Sequence, residues 1–397
     1  MILSIIQMGI YKWSGLFNIV KKLLKNFLFF SVRKIPTPLV KGSLLIVKLD
    51  NIGDYVLFRF MLKEIRNDSV FGNYKITLIG NSSFRDLAED VDNQWIDRFI
   101  WVDKNRFSSN TWYKLKLFHQ IRKYEILINP THSRSEEYDD TIALYSNARM
   151  KIGMRADDSN MDIRKLHHSD NHYTEIIETG QDVLFEFYRY KIFAEKILKK
   201  KLNISKPVIE LRVKEVNSIE NAIVIFPGGT FESKKWSVRN YLLLAESLTN
   251  HTTKKIIFIG NQTESDIEPL IAAFCLSNNQ AINLINKTNL VEILSLVSNA
   301  SFIVGNESSV IHIAASMGTP FLCIANGHNF MRFSPYPPEI IPLESYIFPF
   351  KYVYPDITIA QKYKYTLEAV LNDFIFPDIY QMSETYVMER IEKRDVL

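Results

Sequence analysis

Short runs of apolar residues alternate with helical stretches along the chain, and this alternation limits the possible folds more than any other feature. In the first half, the runs predict strands at 44–49, 75–80, 99–102 and 125–129. In the second half, they predict strands at 222–229, 255–260, 281–285, 301–305 and 320–324. Short, uninterrupted apolar strands separated by helices are typical of parallel sheets that are covered on both faces. The sequence therefore predicts an α/β protein with two doubly wound, Rossmann-like sheets.

The length of the chain supports a division into two such domains. A single hydrophobic core rarely grows to 397 residues. The predicted divisions are a basic arm (1–41), an N-terminal domain (42–205), a C-terminal domain (206–360) and a closing helix with a charged tail (361–397). Helices are expected at 55–66, 170–200, 290–299 and 359–376, with a connector at 204–216. Two Rossmann-like domains facing a cleft would bind a ligand there, at the carboxyl ends of the strands.

The segment FIVGNESSVIHIAASMGTP (302–320) is the most informative candidate for a ligand site. An apolar strand ends there in a glycine, and Glu307, Ser308 and Ser309 precede a helix of small residues that closes at Gly318. A helix N-terminus carries unpaired N–H groups and a partial positive charge, so it attracts phosphate. Glu307 in the same turn can accept hydrogen bonds from sugar hydroxyls. The pairing favours a sugar diphosphate, with Ser308 as a simple helix cap the alternative.

A second candidate site lies in KLDNIGDYVLF (48–58), directly after the first predicted strand. Gly53 permits a tight turn and the close approach of a ligand. A carboxylate in this turn can take a proton from an attacking hydroxyl, whereas the alternative role is a helix cap. We prefer the cap for Asp50 and the catalytic role for Asp54. The spacing matches neither GxGxxG nor a Walker A loop, which disfavours dinucleotide oxidoreductases and P-loop ATPases.

A third candidate site is the loop FPGGTFESKKWS (226–237). Gly228, Gly229 and Thr230 follow a predicted strand and provide a flexible backbone suited to phosphate. Lys234 or Lys235 beside a departing diphosphate would offset the negative charge that grows in the transition state. The alternative is a solvated lysine pair next to a core tryptophan.

Two weaker candidates follow later strands. Gln262 or Glu264, in FIGNQTESD (258–266), can contact a ribose or a base edge. The backbone at Thr288 and Asn289, before the predicted helix at 290–299, can line a base. Both positions also fit ordinary helix starts. We expect no metal site, because the one cluster of histidines (167, 168 and 172) lacks partner cysteines and an HExxH pattern.

The basic arm points to a membrane surface. It contains no acidic residue and seven basic ones, namely Lys12, Lys21, Lys22, Lys25, Arg33, Lys34 and Lys41. On a helix, most apolar residues of 16–30 share one face and the lysines share the other, as in interfacial helices on anionic leaflets. Docking of this helix on protein is the alternative. The remaining chain has a net charge of about −3 (4 minus 7), which argues against a nucleic-acid partner.

Cellular location is inferred from two further features. The chain has two cysteines, Cys275 and Cys323, each in an apolar run, and we expect buried thiols in a reducing compartment. No run of about 20 uncharged apolar residues occurs, and no cleavage site of a signal peptide follows the apolar start. The sequence therefore predicts a cytoplasmic protein that is peripheral on the inner face of the cell membrane.

The order of the motifs KLDNIGDYVL, PGGTFESKKW, GNQTE and LVEILSLVSNASFIVGNESSVIHIAASMGTP is similar to glycosyltransferase family 9. That family contains the ADP-heptose:lipopolysaccharide heptosyltransferases. The resemblance implies a GT-B fold and inverting, metal-independent sugar transfer. It implies no cofactor, only a nucleotide-diphospho-sugar as co-substrate, with the N-terminal domain binding the acceptor and the C-terminal domain binding the donor.

The resemblance also implies roles for individual residues. Asp54 matches the base, Lys234 the lysine on the diphosphate, and Thr230 a hydroxyl of the phosphate loop. The donor-binding turn is matched by Glu307, Ser308 and Ser309. His312 lies one helical turn further on the same face, where the alternative role is that of a packed histidine. Three features depart from the family pattern. Glu307 stands where aspartate is common, and Ser309 where glycine is frequent. Phe58-Arg59-Phe60 replaces the small or Thr/Pro residues that are common after the GD motif. These departures concern the donor sugar and the acceptor more than the reaction class.

The resulting expectation is transfer of heptose from ADP-heptose to a lipopolysaccharide core or another lipid-linked envelope glycan. One alternative is a transferase of the same fold that uses a UDP- or GDP-sugar. The other is a catalytically silent, nucleotide-sugar-binding scaffold subunit. The joint presence of Asp54, Lys234 and Glu307 argues against the scaffold, which has no need of all three.

Overall fold

The computed structural model describes most of the chain between residues 37 and 347. The described residues are 31, 37–180, 184–211, 219–229, 235–261, 264, 266–325, 331–342, 345–347, 387–388 and 391–392. Several predictions therefore lie outside the described residues: the helix of the basic arm, Thr230, Lys234 and the closing helix at 359–376. Within the described residues, no helix has the length and apolar character needed to cross a membrane.

The elements alternate between strand and helix, as the sequence predicts. The described strands are β1 (Val40–Lys48), β2 (Lys75–Asn81), β3 (Arg98–Val102), β4 (Tyr124–Asn129), β5 (Met150–Met154), β6 (Glu175–Ile177), β7 (Ile223–Phe226), β8 (Ile256–Phe258), β9 (Ala281–Asn283), β10 (Phe302–Asn306), β11 (Phe321–Ile324) and β12 (Tyr346–Ile347). The described helices are α1 (Ile52–Phe58), α2 (Phe60–Arg66), α3 (Arg85–Val91), α4 (Lys104–Ser109), α5 (Thr111–Ile121), α6 (Asp139–Tyr145), α7 (Ile163–Asp170), α8 (Glu186–Leu198), α9 (Val238–His251), α10 (Glu268–Ser277), α11 (Leu290–Asn299) and α12 (Ser309–Met317).

The first compact unit comprises Met1–Leu49, Ser69–Ser82 and Ile96–Glu178. Its six-stranded sheet has the order β3-β2-β1-β4-β5-β6, and all neighbouring strands are parallel. Leu45 in the central strand pairs with Thr77 on one side and Leu127 on the other. Leu44, Leu45, Ile46 and Val47 are all fully buried, as expected for a strand covered on both faces. This is the strand order of a Rossmann sheet.

The second compact unit comprises Asp50–Asp68, Ser83–Trp95 and Thr179–Leu397. Its sheet has the order β12-β11-β10-β7-β8-β9, again with parallel neighbours. Counted from β7, this is the same Rossmann order as in the first unit. Strands β7 and β10 are neighbours at the switch point of the sheet, so their carboxyl ends, Phe226 and Asn306, open a natural place for a ligand.

Local sequence explains where helix α11 begins and where helix α12 ends. Helix α11 begins in a capping box, since Asn289 N–H donates to Glu292 Oε2 at 2.7 Å and Glu292 N–H donates to Asn289 Oδ1 at 2.9 Å. Helix α12 ends at Gly318, whose φ of 77° lies in the left-handed region that glycine adopts without strain. Both ends agree with the sequence-based expectation.

The prediction of an α/β protein with two doubly wound parallel sheets is confirmed, and each predicted strand within the described residues is present. Strands β5, β6 and β12 were missed, because their sequences (MKIGM, EII and YI) contain no apolar run of four or more residues and their pairing depends on neighbouring strands. The predicted domain limits and the cleft stay predictions.

Three local predictions were wrong. The helix expected over 170–200 is confined to α8, and Glu175–Ile177 is instead a strand that pairs with β5. The helix expected over 55–66 begins three residues earlier, at Ile52, and divides at Arg59 into α1 and α2. Cys323 is buried as expected, whereas Cys275 is only partly buried.

Candidate functional site

A polar cavity of about 300 Å³ lies at the carboxyl ends of β7 and β10, wholly within the second unit. Its walls include residues 51–54, Gly229, Glu264, residues 307–309 and His312. The structure thus brings together most of the predicted site residues that it describes, from four separate parts of the sequence. Such convergence at a switch point is typical of ligand sites in α/β folds.

Helix α1 begins at the wall of this cavity. Asn51, not Asp50, occupies the N-cap position, so the prediction that Asp50 caps the helix was wrong. Asp54 is the third residue of the helix, and its Oδ2 accepts a hydrogen bond from Asn51 N–H at 3.4 Å. Asp54 is partly exposed and lines the cavity. Asp54 therefore presents a carboxylate to the cavity, and its role as a general base stays a prediction.

Gly53 and His312 join the start of α1 to helix α12. A Cβ atom at Gly53 would lie 2.7 Å from His312 Cδ2 and 3.3 Å from His312 Nε2, so only glycine fits against this ring. The ring is also held from the other side, because His312 Nδ1 lies 2.8 Å from the Tyr336 hydroxyl. Burial raises the pKa of Tyr336 well above its ordinary value, which adds to the preference for the protonated hydroxyl that tyrosine already has at neutral pH.

The start of helix α12 forms a second wall. Ser308 occupies the N-cap position, but its side chain makes no cap hydrogen bond. The buried Ser308 Oγ has no hydrogen-bond partner among the described residues. The alternative in which Ser308 merely caps the helix is therefore not what the structure shows. Glu307 is 8% exposed and lines the cavity beside it.

The glycine loop after β7 supplies the third wall. Gly228 packs against Glu264, since a Cβ at Gly228 would lie 2.4 Å from Glu264 Oε1. Gly229 lines the cavity, and a Cβ there would lie 3.4 Å from the Cγ of Lys235. Lys235 is partly buried, so its stem packs beside the loop rather than extending fully into solvent.

Of the two weaker candidates, the structure places one in the site. Glu264 is 1% exposed, lines the cavity, and accepts a hydrogen bond from Asn261 N–H at 2.7 Å through Oε2. Thr288 precedes the cap of α11 and is not among the cavity-lining residues. Its buried Oγ1 has no hydrogen-bond partner among the residues that the structure describes.

The charges around the cavity constrain what binds there. The described lining includes the carboxylates of Asp54, Glu264 and Glu307, and no lysine or arginine belongs to that described set. Within the described residues, no group of three or more His, Cys, Asp or Glu side chains is arranged to hold a metal ion. For a bound diphosphate, positive potential is available from the N-terminus of α12.

Sequence reasoning missed several residues that lie at or beside the cavity. Tyr336 contacts His312 as described, and Phe333 lines the cavity. A third missed residue, Asn306, is fully buried at the end of β10 and hydrogen-bonds to the glycine loop. A polar residue at the end of an apolar strand is a signal that could have pointed to Asn306, whereas nothing local in the sequence singles out Tyr336 or Phe333.

The fold and the site together define the class of this protein. Two Rossmann sheets of the same strand order, with a polar cavity at the switch point of the second, are characteristic of the GT-B group of α/β proteins. The chain belongs to glycosyltransferase family 9 (heptosyltransferase), whose family model matches residues 115–348. The prediction of this family and of a glycosyltransferase is confirmed.

Individual relatives agree with this assignment. The chain is similar to the lipopolysaccharide core heptosyltransferase OpsX of Haemophilus influenzae, with 26% identity over 114 residues, which are 29% of this chain and 33% of OpsX. The match thus spans about a third of that relative's length. A family 9 glycosyltransferase from Veillonella parvula has a similar fold, with a TM-score of 0.63, 16% identity, and coverage of 90% of this chain and 98% of the other. The E. coli heptosyltransferase WaaC with ADP gives a TM-score of 0.63, 13% identity, and coverage of 88% and 99%.

Proposed function

We propose that this protein is a heptosyltransferase of lipopolysaccharide core biosynthesis. It transfers heptose from ADP-heptose to a lipopolysaccharide core or a related envelope glycan, with inversion at the anomeric carbon and without a metal ion. Membership of family 9 supports the reaction class. The name of the relative OpsX supports the core acceptor, and the solved complex of WaaC with ADP supports the nucleotide.

One observation carries the proposal: a potential base and a potential phosphate site share one cavity. Asp54 at the start of α1 and the N-terminus of α12 with Ser308 both line the same cavity of about 300 Å³. A volume of about 300–1,000 Å³ is usual for small-molecule sites. Glu264 and Glu307 add buried carboxylates suited to the hydroxyls of a ribose and a heptose.

In the proposed reaction, Asp54 acts as the general base. The acceptor O–H bond breaks as its proton moves to the Asp54 carboxylate. The acceptor oxygen then forms a bond to the anomeric carbon of the donor. The bond from that carbon to the diphosphate breaks on the opposite face, and its electron pair leaves with ADP. Displacement from the opposite face inverts the anomeric configuration.

Stabilisation of the leaving diphosphate falls to groups that carry positive potential. The described lining contains carboxylates, so we assign this role to the N-terminus of α12, to Ser308 Oγ and to Lys234. Lys234 lies outside the described residues, but it follows Gly229 by five positions in the sequence. These groups take the place of a divalent cation, which is the reason for proposing metal independence.

The location of the protein follows from the same proposal. A lipid-linked acceptor lies at the membrane surface, and the basic arm provides seven positive charges that an anionic leaflet attracts. We therefore propose a cytoplasmic protein that is peripheral on the inner membrane.

A titration with nucleotides tests the donor site. ADP, UDP and GDP are added separately to the full chain, and the dissociation constants are measured by calorimetry for the wild type, Lys234→Ala and the neighbouring variant Lys235→Ala. The proposal expects binding of ADP in preference to UDP and GDP, and about a tenfold or greater loss in Lys234→Ala. Preference for UDP or GDP would favour the alternative donor, and binding of none of them would contradict the proposal.

A further inference from the structure

Asn306 makes four hydrogen bonds that connect two separate segments of the chain. Its Nδ2 donates to Pro227 O at 2.8 Å and to Gly228 O at 3.0 Å. Its Oδ1 accepts from Trp236 N–H at 2.9 Å and from the Tyr241 hydroxyl at 2.9 Å. Asn306 is fully buried, so water cannot replace these hydrogen bonds in the folded state. The hydrogen-bonding capacity of this amide is therefore used on both its nitrogen and its oxygen.

The geometry of the sheet brings this side chain to the loop. Gly305 pairs with Phe226 across β10 and β7, and a Cβ at Gly305 would lie 3.1 Å from Phe226 O. This close approach of the two strand ends places the next residue, Asn306, beside the backbone of 227 and 228. Glycine at 305 is thus a condition for the contacts that Asn306 makes.

The two segments that Asn306 holds are the two ends of one loop. Pro227 and Gly228 precede it, Trp236 follows it, and Thr230, Lys234 and Lys235 lie between these ends in the chain. The residues after Asn306, from 307 to 309, line the cavity, as does Gly229 on the loop itself. One buried amide therefore joins both ends of the loop to the strand end that starts the proposed phosphate site.

We infer that Asn306 is a positioning residue, which holds Pro227 and Gly228 before the loop and Trp236 after it relative to the N-terminus of α12, so that Gly229 and residues 307–309 face one bound diphosphate. This inference rests on the proposed function for the identity of the ligand. Asn306 itself lies beneath the site and acts through the loop, since its bonds go to protein groups rather than into the cavity. Without it, the loop keeps its sequence but loses both of its fixed ends.

The test compares two substitutions that each remove bonds of the same amide. Asn306→Asp keeps the shape and the oxygen that faces Trp236 and Tyr241, but it replaces the donor to Pro227 O and Gly228 O by an acceptor. Tyr241→Phe removes another bond of Asn306 Oδ1 and leaves the loop contacts intact, so it is the matched control for a general loss of stability. If Asn306→Asp does not fold, Asn306→Ser takes its place.

Limited trypsin digestion, carried out without nucleotide, measures how readily the segment between Gly228 and Trp236 opens to the protease. Trypsin cleaves after lysine, and Lys234 and Lys235 lie between the two held ends. We expect Asn306→Asp to be cut there about tenfold faster or more than the wild type, with Tyr241→Phe close to the wild type. Equal rates of cleavage after Lys234 and Lys235 in the wild type and Asn306→Asp would overturn the inference.

Binding and turnover provide the second readout. We expect the dissociation constant for ADP and the KM for the donor to rise about tenfold or more in Asn306→Asp and to change little in Tyr241→Phe. Similar losses in both variants would assign Asn306 a purely structural role and overturn the inference. If the wild type binds no nucleotide, the proposed function fails, while the digestion experiment still decides whether Asn306 holds the loop.

Discussion

The contact between Gly53 and His312 allows a prediction about the substitution Gly53→Ala. Whether this substitution lowers or raises the stability of the protein should depend on whether His312 is present. Gly53 lies in helix α1, and its φ is not in the left-handed region. For the backbone alone, Gly53→Ala would stabilise the protein by about 0.5–1 kcal/mol, because alanine loses less conformational entropy on folding. The new Cβ would, however, lie 2.7 Å from His312 Cδ2, which is closer than two carbon atoms can approach.

The His312 ring has little freedom to move away from this contact. It is 6% exposed, its Nδ1 lies 2.8 Å from the Tyr336 hydroxyl, and its centroid lies 5.7 Å from that of Tyr336 in a stacked arrangement. Overpacking of a buried site costs about 1–3 kcal/mol. We therefore expect Gly53→Ala to destabilise the second unit by up to about 2.5 kcal/mol after the gain in the backbone.

The same substitution should be stabilising once the ring is removed. In a His312→Ala background, the alanine at 53 meets no imidazole, and only the backbone gain of about 0.5–1 kcal/mol remains. Differential scanning calorimetry of the four proteins tests this, with about 2–4 °C expected for each kcal/mol. A midpoint that falls by the same amount in both backgrounds would refute the reasoning, because the cost would then not come from His312.

Three further predictions concern the proposed reaction. Asp54→Asn should keep its affinity for ADP and lose about a hundredfold or more in kcat, since it cannot accept the proton; wild-type turnover in this variant would remove Asp54 as the base. Lys234→Ala should lower kcat/KM for the donor at least about tenfold, and Lys235→Ala should lower it less, because the Lys235 stem packs beside Gly229; equal losses would argue against a distinct role for Lys234. Deletion of residues 1–34 should weaken sedimentation with anionic vesicles and leave binding to neutral vesicles unchanged; equal binding of both proteins to anionic vesicles would favour a helix docked on protein.

Much of the fold follows from local sequence. Strands such as 44–49 and 301–305 are continuous apolar runs bounded by glycine or polar residues, so their type and position were predictable. Helix α11 was predicted with its exact bounds, because Asn289 and Glu292 form a capping box that the sequence displays. The short edge strands β6 and β12 were not predictable in this way, since they owe their conformation to a neighbouring strand.

The candidate site, like the fold, was predictable only where local sequence indicates it. Glu307, Ser308 and Gly53 stand shortly after predicted strands, in segments whose composition itself indicates a ligand. Contacts between residues that are far apart in the sequence could not be predicted, because no local pattern indicates them. The closeness of Gly53 to His312, of Gly228 to Glu264 and of Asn306 to the glycine loop became visible only in the folded chain.

The most direct test of the proposed function is a transfer reaction followed by NMR spectroscopy. The full chain is incubated with ADP-heptose and a heptose-deficient lipopolysaccharide core in the presence of a metal chelator, with UDP- and GDP-sugars as parallel donors. The account predicts release of ADP and a new heptosyl linkage whose anomeric configuration is opposite to that of the donor. Transfer from another nucleotide sugar alone, a linkage with retained configuration, or no transfer under conditions in which ADP binds would contradict it.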